Sequence, residues 1–265
     1  MRNLIKFFSR RRNWSIPYAL FLAVFVVVPL VLIMVYAFQS KDGGFSLENF
    51  ERFINQPEAA NTFIYSIGIA LITTIICLVL GYPAAYVLSR MRPTLARVVV
   101  MLFILPMWIN VLVRTLATVA LFDFLMLPLG EGALIFGMVY NFLPCMIYPI
   151  YNVLQKMDSS LIEAAEDLGA TPRQVFSRVV FPLSMPGIIS GIMMVFMPTI
   201  STFAIAELLT MNNIKLFGTT IQENINNGMW HYGAALSLIM LIIIGITSLF
   251  TDSSAEKSAN DGGLL

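Results

Sequence analysis

Residues 62–88 read TFIYSIGIALITTIICLVLGYPAAYVL and contain no Asp, Glu, Lys or Arg. About 20 helical residues are enough to cross the ~30 Å hydrocarbon core of a bilayer. Lipid offers the backbone no hydrogen-bond partner, and a block of this length satisfies its own amides as a helix rather than as a barrel strand. The stretch therefore predicts a membrane-spanning α-helix.

The same pattern recurs along the chain. Six apolar blocks occur, at about 16–38, 62–88, 98–122, 133–152, 186–206 and 234–250. Arg114 is the only charged residue inside them. Overall, 58% of the residues are hydrophobic and 12% are charged, whereas roughly 25% are charged in soluble domains. We predict an all-α polytopic membrane protein with six transmembrane helices.

This pattern also predicts the domain organisation. Residues 1–15 form a basic N-terminus, residues 16–250 form one membrane domain, and residues 251–265 form a tail whose Ser and Gly content is typical of disorder. The first block is longer than the apolar part of a signal peptide and lacks a convincing cleavage site, so we interpret it as a retained span.

The distribution of Lys and Arg predicts the orientation. With the N-terminus inside, twelve of the 16 basic residues lie on the cytoplasmic side. Only Lys41, Arg52 and Lys215 lie outside, and Arg114 lies within a span. Positive residues concentrate in cytoplasmic loops, so we expect a multi-pass protein of the cell membrane, the inner or plasma membrane, with both termini in the cytoplasm.

Several chemistries are excluded by what the chain lacks. There is no G-x-x-x-x-G-K-[ST] phosphate loop, no H-E-x-x-H motif, and a single histidine, His231. Cys77 and Cys145 both lie in apolar blocks, where a cysteine is typically a small buried hydrophobe. A net charge of +1 without a basic stripe does not favour a nucleic-acid partner. We therefore expect no enzyme activity, no metal site and no cofactor in this chain.

The loop at 153–185 is unusual because it contains two amphipathic stretches, 161–168 and 173–180, separated by Gly169-Ala170-Thr171-Pro172. Gly169 suits the left-handed residue that follows a helix, and Pro172 suits the first turn of the next helix. The loop is predicted to be a helix, a sharp turn and a second helix, and Leu161, Ile162 and Leu168 are predicted to give its first helix an apolar face.

The motif Glu163-Ala164-Ala165, followed by Gly169 and by Val179-Val180-Phe181-Pro182, resembles the EAA loop of permeases from binding-protein-dependent ABC importers. Val179 and Phe181 replace the isoleucine and leucine usual there. Further segments, above all 106–114 with Trp108, Asn110 and Arg114, look like the spermidine/putrescine permease subfamily.

The resemblance implies a type I ABC importer permease fold with a cytoplasmic coupling helix that docks on an ATPase. It implies these coupling residues: Glu163, Ala164, Ala165, Asp167, Gly169 and Pro182. It implies three kinds of protein partner: a cytoplasmic ABC ATPase dimer that binds ATP and Mg²⁺, a second permease of a different chain, and an extracytoplasmic solute-binding protein. The alternative reading of the loop is a helix lying in the membrane interface, which its acidic residues suit poorly.

A path for polyamines should offer carboxylates and aromatic faces to ammonium groups. The candidates for this path are Trp108, Asn110, Arg114, Asp123, Tyr140 and Glu207. A charge inside a span costs at least ~2.5 kcal/mol, so Arg114 is expected to face the bundle interior or a polar cavity. Four of the candidates have a structural alternative: Arg114 as a structural pair joining helices, the two acids as surface residues, and Tyr140 as a hydrogen-bonding group between helices.

The sequence also fits two rival functions. One is a permease of the same architecture for another solute, such as thiamine, iron, sulfate or an organic anion. The other is a secondary transporter or channel that works without an ATPase, against which the docking loop argues.

Overall fold

The computed structural model of this protein describes residues 16–40 and 43–261. The predicted basic N-terminus, 1–15, lies outside the described residues, as do residues 262–265. Thirteen α-helices occur in the described part of the chain: α1 (Ile16–Leu22), α2 (Val28–Ala37), α3 (Glu48–Asn55), α4 (Pro57–Arg90), α5 (Pro93–Ile104), α6 (Val111–Phe124), α7 (Glu131–Gln155), α8 (Ser159–Asp167), α9 (Pro172–Val175), α10 (Phe181–Ser201), α11 (Ala204–Leu209), α12 (Phe217–Asn226) and α13 (Trp230–Asp261). No strand occurs among the described residues.

Most spans are single helical segments, because π-helical turns at Ala23–Val27 and Phe176–Val180 join α1 to α2 and α9 to α10 without a break. Five segments are long and apolar enough to cross a membrane: Pro17–Ala37, Pro57–Arg90, Glu131–Gln155, Pro172–Ser201 and Trp230–Ser248. A sixth span is formed if the bent pair Pro93–Trp108 and Val111–Phe124 is counted as one. The protein is therefore the all-α, multi-pass membrane protein that the sequence predicts.

The third predicted block is broken in the middle. Its two halves meet at an angle of 96°, after a short 3₁₀ segment, Leu105–Trp108. Pro106 has no amide hydrogen to donate, which weakens the helix here. Asn110 then begins α6 as its N-cap, because its side-chain oxygen accepts a hydrogen bond from the Leu112 amide at 2.8 Å.

Two other boundaries differ from the predictions. The second loop stretch, 173–180, is not a separate loop helix but the beginning of the fifth span, which starts at Pro172 rather than near residue 186. The last helix, predicted to give way to a disordered tail at Thr251, continues to Asp261. Once a helix is nucleated each further residue adds a hydrogen bond at little cost, and no proline interrupts this stretch.

The chain divides into two compact units. The first comprises the described residues up to Pro57 together with Ile221–Ile242. Ala37, Ala235 and Leu238 form its buried core. The Asn49 side chain ties α3 to the end of the first span by donating hydrogen bonds to the carbonyls of Ala37 and Gln39, at 3.1 and 3.2 Å.

The second unit comprises Glu58–Thr220 and the residues from Ile243 onward. Its two long helices α7 and α10 approach closely at glycines of α10. A Cβ on Gly187 would lie 3.0 Å from the Ile150 Cα and from the Pro149 carbonyl oxygen, and one on Gly191 would lie 3.2 Å from the Met146 carbonyl oxygen. Small residues let membrane helices pack backbone to backbone, and this contact holds the scaffold on which the coupling loop is built.

Candidate coupling helix and transport path

The predicted coupling helix is α8, and it begins with a side-chain cap. Asp158 accepts a hydrogen bond from the Ser160 amide at 2.9 Å, which satisfies one of the free donors of the first turn. This bond holds the pKa of the Asp158 carboxyl below its ordinary value of 3.8. The cap is therefore intact at neutral pH, and it is lost only as the pH falls through that lowered pKa.

The turn after α8 has the predicted geometry. Gly169 is left-handed, with φ +80°, and its amide donates to the Glu166 carbonyl at 2.8 Å. Pro172 occupies the first turn of α9, and Thr171 and Gln174 form a reciprocal capping box there. The predictions for Gly169 and Pro172 are confirmed, and the turn fixes α8 against the start of the fifth span.

The apolar residues of α8 do not share one face as predicted. Ile162 and Ala165 pack on a buried cluster of the second unit, which we name the coupling-side cluster. Its buried members are Cys77, Tyr82, Ala85, Leu88, Ala96, Val100, Met146, Ile147, Ile150, Tyr151, Leu154, Val175, Val180, Ile188 and Val195. Leu161 and Leu168 are instead exposed, at 47% and 90%. The helix thus has one seated face and one free apolar edge.

Polar residues complete the free side of α8. Glu163, Ala164, Asp167 and Gly169 are all exposed, while Ala165 is half-buried. Glu163 and Asp167 are four residues apart, so they lie on the same side of the helix. Pro182, the last predicted coupling residue, lies in α10 and not in the loop. The exposed side therefore combines small and apolar groups with an acidic rim, a composition suited to docking.

Arg114 is the charged residue that lies deepest among the path candidates. It is only 9% exposed, in the first turn of α6, and its amide donates to the Asn110 carbonyl at 3.1 Å. The buried Nε and Nη1 of its guanidinium have no hydrogen-bond partner among the described residues. A guanidinium stays charged in a protein, so this arrangement places a positive charge inside the second unit with two of its nitrogens unpartnered in the described chain.

The other path candidates are exposed, meaning that the described part of the chain does not cover them. Trp108 is 87% and Tyr140 43% exposed, and Asn110, Asp123 and Glu207 are exposed as well. Glu207 lies in the short helix α11, beyond a break after Ser201, rather than at the end of the fifth span. No side-chain hydrogen bond or ion pair within the described ranges joins one path candidate to another.

Several buried polar residues were not singled out from the sequence, and Asn141 is one of them. Asn141 lies in α7 and is 1% exposed; its side-chain amide donates to the Gly137 carbonyl at 2.7 Å, while its Oδ1 has no partner among the described residues. An asparagine among the apolar residues of 133–152 was the available signal, because polar groups inside membrane segments mark functional or helix-joining positions.

The helical membrane core, with α8 seated on it, agrees with the protein family that the sequence matches. The family model described as "Binding-protein-dependent transport system inner membrane component" matches residues 77–258. This chain belongs to that family. As a member of the family it is a membrane permease component of a transport system, not an autonomous channel.

Individual family members are similar over most of the chain. The spermidine/putrescine transport system permease protein PotB of Haemophilus influenzae is 33% identical over 263 residues, covering 90% of this chain and 91% of that protein. PotB of Escherichia coli K12 is 34% identical over 252 residues, covering 86% and 91%.

Chains in two solved transporter structures share the fold. The structure of a bacterial ABC transporter involved in the import of the acidic polysaccharide alginate contains a chain with a TM-score of 0.70 and 15% identity, covering 93% of this chain and 96% of that one. The methionine transporter MetNI in an inward-facing conformation contains another, with a TM-score of 0.61 and 15% identity, covering 75% and 95%. The fold is that of a type I ABC importer permease.

Proposed function

We propose that this protein is the permease subunit of an ATP-driven importer that moves the polyamines spermidine and putrescine inward by alternating access. The observation that supports this choice of substrate is the 33–34% identity to two PotB permeases over 86–90% of this chain. In this proposal ATP is hydrolysed by a separate ATPase subunit and not by this chain.

The ATPase docks on the free side of α8. One face of α8 is seated on the coupling-side cluster through Ile162 and Ala165, so a push on its free side is transmitted to the ends of the spans. Leu161, Ala164 and Leu168 supply the apolar contact, and Glu163 and Asp167 meet basic groups of the partner at the rim. Closure of a cytoplasmic ATPase dimer around bound ATP and Mg²⁺ thereby moves the membrane helices.

A second permease subunit, a different chain, covers the uncovered surface at the bend of the third span. Trp108, Leu112 and Val113 expose large apolar side chains there, beside the buried charge of Arg114. The path runs along this surface, where Trp108 and Tyr140 offer aromatic faces to ammonium groups and Asp123 and Glu207 offer carboxylates. An extracytoplasmic binding protein delivers the solute, and both termini lie in the cytoplasm.

A permease for an organic anion is the second candidate function. The buried guanidinium of Arg114, with Nε and Nη1 unpartnered in the described chain, favours a negatively charged solute over a polycation. The two functions predict opposite effects of Arg114→Gln. Loss of this positive charge leaves or improves polyamine uptake, whereas it abolishes uptake of an anion.

The test uses the assembled transporter in vesicles, with ATP inside and binding protein outside, and compares wild type with Gly169→Asp. Gly169 is left-handed with no neighbouring atom within 4 Å of a Cβ, so the substitution strains the coupling turn without a clash. Gly228→Asp is the matched control, since Gly228 has φ +78° and equally open surroundings in another loop.

We expect ATP-dependent uptake of spermidine and putrescine in wild type and in Gly228→Asp, and loss of uptake together with loss of bound ATPase in Gly169→Asp. Uptake that survives equally in both variants would overturn the coupling role of the turn. An intact ATPase complex that transports no polyamine would overturn the substrate.

A further inference from the structure

A small cavity lies between the coupling helix and the ends of two spans, apart from the docking face and the path. Its volume is about 160 Å³. Arg90 and Ser89 line it from the end of α4, Leu154 and Gln155 from the end of α7, and Ser159 and Ile162 from α8. Pockets for drug-sized ligands measure ~300–1,000 Å³, so this one is too small for a nucleotide and suits a single small group.

The polar groups of the cavity favour an anion. Arg90, Gln155 and Ser159 all carry hydrogen-bond donors, and no Asp or Glu is among the described residues that line the cavity. The nearby carboxylate of Asp158 is engaged by the Ser160 amide at 2.9 Å. The Arg90 guanidinium rests over the Tyr86 ring, 5.4 Å from its centroid, which holds the positive charge beside the cavity.

The cavity lies at the ends of two spans, and this depth indicates which class of anion it binds. Arg90 is the last residue of α4 and Gln155 the last of α7, so both stand at the ends of long apolar helices, where a span is expected to leave the hydrocarbon, on the side of the coupling helix. Anionic phospholipids present their phosphates at this depth, and basic pockets between spans at that level bind such headgroups. Arginine is well suited to this role because its donors match phosphate oxygens in pairs.

We propose that this cavity binds the phosphate of an anionic phospholipid from the leaflet on the side of the coupling helix. Free inorganic phosphate shares this chemistry and is the alternative source. The bound phosphate bridges Arg90 on α4 to Ser159 on α8, and so fastens the coupling helix to the end of a span. Binding stands independently of the transported solute; only its effect on coupling rests on the proposed function.

The primary test is native mass spectrometry of the assembled transporter released from nanodiscs of phosphatidylcholine with increasing phosphatidylglycerol. Wild type is compared with Arg90→Gln and with Arg97→Gln, an exposed arginine of α5 on the same side that does not line the cavity. We expect retained phosphatidylglycerol to fall about 10-fold in Arg90→Gln, the loss of one charge-assisted contact, and to be unchanged in Arg97→Gln.

A second variant guards against misfolding of the first. Ser159→Glu places a carboxylate at the cavity mouth, and a negative residue in the first turn of α8 also stabilises the helix, so the fold is retained while the phosphate is repelled. Retention of lipid equal to wild type in both Arg90→Gln and Ser159→Glu would overturn the site. An equal fall in Arg97→Gln would also overturn it, by reducing the effect to general surface charge.

To decide the source of the phosphate, inorganic phosphate is added at about 10 mM, a concentration chosen to compete for a weak charge-pair site. If phosphatidylglycerol retention by wild type then falls to the level of Arg90→Gln, free phosphate occupies the site in preference to the headgroup and the lipid assignment is overturned. If the lipid stays, the headgroup assignment is supported. ATPase activity should then rise with the phosphatidylglycerol fraction in wild type and in Arg97→Gln, but not in Arg90→Gln.

Discussion

Truncation of Leu168 to alanine isolates the apolar part of the proposed docking surface. Leu168 ends α8 and is 90% exposed. Its backbone amide donates to the Ala164 carbonyl at 3.2 Å, a bond that alanine keeps. Since the side chain is almost fully exposed in this chain, Leu168→Ala should leave the permease folded and change only what binds to this surface.

The loss of binding free energy in Leu168→Ala follows from the apolar groups that docking would bury. Each buried CH₂ contributes about 0.8 kcal/mol, and alanine removes the three outer carbons of leucine. Complete burial of Leu168 by the ATPase therefore makes the loss about 2 kcal/mol, or ~30-fold in affinity. Partial burial scales the loss down in proportion.

The assay titrates purified ATPase subunit onto the permease complex in nanodiscs and reads the dissociation constant. Ile54→Ala is the matched control, because Ile54 is 75% exposed on α3, in a loop predicted to lie on the opposite side of the membrane. We expect weaker ATPase binding in Leu168→Ala and wild-type binding in Ile54→Ala. Equal affinities in the two variants would refute the assignment of Leu168 to the docking surface.

Three further predictions concern packing, capping and the path. Gly187→Ala should lower the free energy of unfolding by about 1–3 kcal/mol, because its Cβ meets α7 backbone atoms at 3.0 Å; thermal unfolding checks this against Gly68→Ala, which meets nothing within 4 Å and should be neutral or stabilising. Ser66→Ala should cost about 1–3 kcal/mol, since the Phe217 amide, which donates to the Ser66 hydroxyl at 2.7 Å, loses a buried partner; an unchanged midpoint would contradict this. Glu207→Gln should raise the KM for spermidine more than that for putrescine, the smaller polycation, with basal ATP hydrolysis unchanged; equal kinetics for both solutes would remove this residue from the path.

Features set by nearest neighbours in the chain were predictable. Blocks such as 62–88 partition into lipid because of their own composition, and the structure has five helices that are long and apolar enough to span a membrane, or six if the bent pair of the third block is counted as one. The turn at Gly169 and the start at Pro172 depend only on local backbone preferences, and both were predicted correctly. The EAA motif likewise indicated the family.

Features that depend on packing between distant segments were predicted less well. Leu161, Ile162 and Leu168 look alike in sequence, yet only Ile162 is seated on the membrane core. The difference arises because α4 and α7 end beside one side of α8, and hydrophobicity alone does not specify which side. The same limit applies to Glu207, which the chain places in a separate short helix after a break at Thr202.

The sequence by itself determined that the chain is an all-helical membrane protein, roughly where its spans lie and how the turn at Gly169 is built, because hydrophobicity, proline and glycine act locally. Only the tertiary structure decided that the third span bends by 96° and that Arg114 is buried there without a partner for Nε and Nη1 among the described residues. It also decided that Arg90 and Ser159, far apart in the chain, line one cavity. These features depend on how helices distant in sequence pack together, and no single stretch of residues encodes that.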